Sequence, residues 1–169
     1  MARTPKIYLL LLWHMHQPYY KDLVSGEYRL PWVRMHALKD YYGMVKLLDE
    51  FPNVHQNFNL VPSLLVQLQD YAAGTARDPF YDIVAKPAAQ LPGTGRRFAL
   101  QYLFQANALH MIARYPRYQE LWQRYQLVSQ REDPESSFDN QDITDLQVLS
   151  QLAWFDEFFL EQPTAHVLL

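Results

Sequence analysis

A chain of 169 residues and 20.0 kDa has room for one domain with a core of ordinary size. Its 15 basic and 18 acidic residues leave a net charge of −3, which gives neither nucleic acid nor an anionic membrane anything to attract. Cysteine is absent, so disulfides, thiol catalysis, thiolate zinc sites and iron–sulfur clusters are excluded.

Ile7-Tyr-Leu-Leu-Leu-Leu-Trp13 is a continuous apolar run, too short to span a bilayer and not followed by a signal cleavage site. It reads as a strand buried on both faces, as in a parallel sheet, and a cytoplasmic protein is the default. The chain then turns polar at His14-Met-His-Gln-Pro-Tyr-Tyr20, and residues 21–35 read as a loop. Apolar residues at helical spacing predict a helix from His36 to Phe51, stopped by Pro52. A second strand is predicted at Val54–Leu60, ending in Asn57-Phe-Asn59, and Val61-Pro62 opens a helix closed by Gly74.

Strand, helix, strand, helix over residues 1–74 is the opening of a parallel α/β sheet or barrel. Residues 75–169 read differently, as a mostly helical extension. Residues 75–95 carry Pro79, Pro87, Pro92, Gly93 and Gly95 and predict irregular chain with room for one short helix. Helices are predicted over Arg96–Tyr115 and Pro116–Val128, then a polar loop over Ser129–Asn140. A last helix is expected with Asp142 as its N-cap, running to Phe159.

In parallel α/β folds ligands bind at the carboxyl ends of strands. His14 and His16 are two apart, so on extended chain both point the same way, and Asn57 and Asn59 repeat the pattern. Three readings compete for the histidines. They are structural, satisfied by backbone partners; they are two ligands of a metal; or they hydrogen-bond a polar, uncharged ligand such as a sugar. A metal would lack its remaining ligands, because no carboxylate or further histidine sits at a clear strand end.

His14-Met-His-Gln-Pro18 on a first strand resembles the first signature region, His-x-His-Gln-Pro, of glycoside hydrolase family 57. Trp32-Val-Arg-Met-His-Ala-Leu-Lys-Asp-Tyr-Tyr42, Asn57-Phe-Asn-Leu-Val-Pro-Ser63 and Asp145-Leu-Gln-Val-Leu-Ser-Gln-Leu-Ala-Trp-Phe155 are similar to segments common in that family. The resemblance implies a retaining enzyme acting on α-glucan or maltooligosaccharide, without cofactor or metal, on an incomplete (β/α)7-type barrel with extra helices. It implies that His14 and His16 line the cleavage subsite. Gln17, Trp32 and Asn59 complete the expected substrate-binding set. Trp13 and Tyr19 are further stacking candidates, with the core the better reading for Trp13. Arg34 and His36 flank the first helix, with reaching the pocket and a capping or surface role equally open.

Retaining glycosidases need two carboxyl groups about 5–5.5 Å apart. In this family a Glu and an Asp on later strands do that work, and no acid here sits in such a setting. The chain is therefore expected to be the N-terminal portion of a catalytic barrel, inactive alone, with its carboxylates in a missing remainder. Two rivals stand beside that expectation. One is a metal-dependent hydrolase or sugar deacetylase using His14 and His16 as ligands. The other is a non-catalytic carbohydrate-binding module.

Overall fold

The computed structural model describes residues 6–161. Two short strands, β1 (Leu12–Met15) and β2 (Asn57–Leu60), pair in parallel. Leu12 lies opposite Asn57, and His14 opposite Asn59. The expected first strand, Ile7–Trp13, is displaced toward its polar end, because pairing with β2 rather than apolar content sets where a ladder runs. Burial on both faces does not hold either. Ile7 is 94% and Leu10 74% exposed, and only Met15 of β1 is buried, at 4%. Helices cover one face alone, so the side chains pointing the other way stay open.

The crossover between the strands begins earlier than the sequence pattern indicates. Helix α1 (Trp32–His36) starts directly after Pro31, and the Met35 amide donates to the Pro31 carbonyl at 3.0 Å. The chain continues as a π-helical turn (Ala37–Tyr41), α2 (Tyr42–Lys46) and a 3-10 turn (Leu47–Asp49). The single helix predicted from His36 is thus a succession of α, π, α and 3-10 segments that begins at Trp32. Helix α3 (Pro62–Ala72) follows β2 as expected, with Pro62 in its first turn and Gly74 beyond its end at φ 69°. Met15, Val33 and Leu64 form the small core under the sheet, flanked by Tyr20, Tyr41, Met44, Phe58, Leu68 and Tyr71.

The helical half comprises α4 (Pro79–Ala85), α5 (Gly93–Tyr102), α6 (Pro116–Val128), α7 (Asn140–Leu152) and α8 (Glu157–Leu160). The helix expected over Arg96–Tyr115 is broken after Tyr102 and resumes as a π-helical turn, Ala108–Ile112. Asn107 causes the restart, because its side chain accepts from the amides of Leu109 and His110. Asp139, not Asp142, is the N-cap of α7. The two form a reciprocal capping box, with Asp142 as its third-position partner. The helix ends at Leu152, and Asp156 caps the separate α8. Leu100, Tyr118, Leu121, Ile143 and Leu146 build the larger core between these helices. No helix among the described residues is long and apolar enough to cross a membrane.

Arg34 of α1 joins the halves. Its Nε donates to Asp78, the buried N-cap of α4, at 3.4 Å, and its Nη1 to Gln151 of α7 at 2.7 Å. Asp78 also accepts from the Tyr71 hydroxyl at 2.9 Å and the Tyr81 amide at 2.7 Å. Removing one partner of a buried ion pair strands the other, at about 3 kcal/mol or more. Asp78→Ala should therefore lower unfolding free energy by about 3 kcal/mol in a urea titration. Asp82→Ala, which breaks the exposed pair with Arg77, should change it by less than about 1 kcal/mol.

Candidate functional site

Partners in a parallel ladder project to the same side of the sheet. Leu12 and His14 therefore share a face with Asn57 and Asn59, away from the core side occupied by Met15 and Phe58. His14, Asn57 and Asn59 are all exposed. His16 lies just past the strand and stacks on His14, with ring centroids 5.8 Å apart and planes 9° from parallel. The sequence pattern thus yields the right partners, though on an open face rather than in an enclosed pocket.

The turn after β1 is held by α3. Gln67 is fully buried, and its Oε1 accepts from the Tyr20 amide at 2.8 Å while its Nε2 donates to the Pro18 carbonyl at 2.9 Å. The Ser63 hydroxyl donates to the Gln17 carbonyl at 3.1 Å. These three bonds close the backbone of Gln17–Tyr20 onto one helix. Gln17 itself is clamped at both ends of its amide. Tyr20 donates its hydroxyl proton to Oε1 at 2.9 Å, and Nε2 donates to the Tyr41 hydroxyl at 3.0 Å. Tyr41 in turn donates to the His16 carbonyl at 3.4 Å. Burial holds both phenols above their ordinary value of 10.0, so each keeps its proton for these bonds.

Trp32 opens α1 and packs at 5.8 Å from Trp154 and 6.3 Å from His36. His36 continues the row to Tyr41, at 6.2 Å. Trp32 is thereby connected to the strand end through His36 and Tyr41. His36 Nδ1 lies 2.5 Å from Asp40 Oδ2, one turn along, and this contact holds the Asp40 carboxyl below 3.8 against the opposing effect of burial. Trp13 is 45% exposed, not a core residue, and Tyr19 is likewise exposed. Arg34 points away from the strand end into the junction with Asp78. Ser63, Gln67, Tyr41 and Trp154 were missed by sequence reasoning. Only Ser63 and Gln67 carried a signal, their spacing of four on the helix that follows the Asn pair.

The site is a strand-end array of imidazole and amide groups, on an α/β scaffold, with aromatic rings alongside. Such an array suits neutral, hydroxyl-rich ligands that present both hydrogen-bonding edges and apolar faces. A model of glycosyl hydrolase family 57 matches residues 10–164, and the chain belongs to that family. It is thus a glycosidase-type, carbohydrate-active protein. No curated protein and no solved structure matches it.

Gln67→Leu leaves the Tyr20 amide and Pro18 carbonyl without partners inside the fold. A loss of about 2 kcal/mol in denaturant stability is expected, with altered imidazole chemical shifts at His14 and His16. His36→Ala should move proton uptake by Asp40 to higher pH, read from its carboxyl carbon by NMR. The sign follows because His36 stabilises the ionised carboxylate. Stability contributed by a carboxyl held low is present above its unfolded value and is lost as pH falls through the folded one.

Proposed function

We propose that this chain supplies the first sugar subsite of a retaining, α-glucan-acting enzyme of family 57, as the N-terminal part of an incomplete (β/α)7-type barrel. The observation that carries the reading is the bare polar face of the sheet. His14, stacked His16 and Asn59 stand together toward the carboxyl end of the sheet, with Asn57 on the same face at the start of β2, the side that no described helix covers. Imidazole and amide groups hydrogen-bond ring hydroxyls, and such bonds strengthen as positive charge develops on the sugar in an oxocarbenium-like transition state. Gln17, fixed by Tyr20 and Tyr41, presents its amide beside them. Trp32 and Trp154 offer faces for pyranose stacking.

The nucleophile and the acid/base are assigned to chain outside these 169 residues. Neither Leu12–Lys21 nor Asn57–Ser63 contains a carboxylate. Three firmly held acids serve elsewhere: Asp70 binds Lys21 and Tyr28, Asp78 binds Arg34, and Asp142 binds Arg117 and Arg124, while Asp40 is held by His36 and Lys39. Later strands would also pair the free edge of β1 and cover Ile7–Leu10.

A metal-dependent hydrolase or deacetylase is the rival that His14 and His16 keep in play. Among the described residues no group of three His, Asp or Glu could hold an ion, so that reading requires further ligands. Calorimetry with maltoheptaose separates the two. His14→Ala with His16→Ala should weaken sugar binding about tenfold or more, with zinc and chelator without effect. The unaltered chain should release no glucose from maltoheptaose. Turnover lost in the double variant would show that the chain carries its own catalytic carboxylates, and binding that follows zinc would favour the rival.

A further inference from the structure

A second concave surface lies between the two halves of the molecule, across α2, the Ala108–Ile112 turn and α8. It is a groove of about 790 Å³, within the range of about 300–1,000 Å³ that holds small ligands. Its walls alternate hydrogen-bonding and apolar groups: Asp40 and Met44 on one side, His110 and Met111 on another, Phe155 and Asp156 on the third. Both π-helical turns of the described chain border it. Lys39 and Asp40 come from the first turn, and His110 and Met111 from the second. Such turns cost backbone hydrogen-bond geometry and concentrate at functional sites. Here each one re-aims a polar side chain into the same groove.

The approach of α8 is also specific. A Cβ at Gly43 would collide with the Asp156 carboxylate, so glycine is what allows that carboxylate to sit against α2. The Asp156 amide donates to the Leu38 carbonyl at 2.9 Å, which locks the groove's third wall to its first. The ligand chemistry follows from the lining. Carboxylates outnumber the two cations, Lys39 and Arg114, so an anion is disfavoured. Carboxylates, an imidazole, thioethers and a phenyl ring together match a molecule with hydroxyl edges and apolar ring faces.

We infer that this groove is a second maltooligosaccharide-binding site, separate from the strand-end subsite and connected to it through Asp40, His36 and Tyr41. The inference rests on the α-glucan reading above. Asp40 is the shared element: Oδ2 contacts His36, which packs on Tyr41, while its residue forms one wall of the groove.

The methionine methyl groups provide the test. Met111 lines the groove and packs on the helical core, Met15 is buried beneath the strand-end face, and Met44 touches both the groove and the Met15 cluster, so Met111 is the reporter specific to the groove. Methyl NMR of the 169-residue chain is recorded during titration with maltoheptaose. Saturable shifts at Met44 and Met111 are expected, and they should persist in the His14→Ala, His16→Ala variant. Asp40→Asn with His110→Ala should weaken the apparent affinity at these methyls about tenfold. Shifts at Met15 with Met111 unmoved would overturn the second site and leave the α-glucan reading standing. Silence at all three methyls would overturn both. A response of Met44 and Met111 to choline but not to maltoheptaose would replace the sugar with a cation and also overturn the inference.

Discussion

The guanidinium of Arg34 is the point on which the two halves of the molecule depend. It is the side chain through which α1, the first turn of α4 and α7 share one set of hydrogen bonds. Its Nη2 is buried without a partner, so the group is not optimised for stability alone. Buried ionic contacts of this kind add little net stability beside an apolar substitute but strongly penalise misalignment. A shift of the helical half relative to the sheet would strand a full charge. The aromatic row Trp32–Trp154–His36 and the groove beyond it exist because that registration is enforced.

Around the strand end the same economy applies on a smaller scale. The Gln67 amide serves two backbone groups of the turn at once, and Gln17 is oriented by two phenols. Because donors and acceptors are matched at each step, the orientation of the Gln17 amide is set from both ends. A site assembled on exposed strand ends needs such support, since open side chains otherwise sample several rotamers. Helix α3 and Tyr41 of the first π turn thereby hold the backbone from His16 to Tyr20 and the Gln17 amide beside the imidazoles.

Much of the strand-end site was legible in the chain. A spacing of two dictates a common face on extended backbone, and this held for His14 with His16 and for Asn57 with Asn59. Gly74 and Pro62 marked the ends of α3 because their backbone restrictions are local. The failures have two causes: some depend on neighbours distant in sequence, and others on short-range side-chain bonds, such as those of Asn107, that composition does not reveal. Ile7–Leu10 look like strand by composition, but a strand needs a partner. Asp139 and Asp142 both suit a cap, and the reciprocal bonds between their amides and carboxylates give the cap to Asp139, while Arg117 and Arg124 hold the Asp142 carboxylate. The π turns had no compositional mark, and the start of α1 at Trp32 was hidden in a stretch whose Pro31 suggested loop rather than helix start. Gln67 looked like one more polar residue on a helix until the turn folded over it.

The parallel pairing of β1 with β2 has a kinetic consequence. Antiparallel neighbours can zip from a tight turn, but Leu12 and Asn57 meet only after the whole crossover has been ordered. The larger helical core likewise joins segments far apart along the chain, with Gln147 bonded to the Ile83 carbonyl and Arg96 to the Phe138 carbonyl. Loop closure must precede the reward from non-local contacts, so neither half can zip up from a tight turn alone. The face that carries His14 and Asn59 therefore comes into being only when a long stretch of chain has closed on itself.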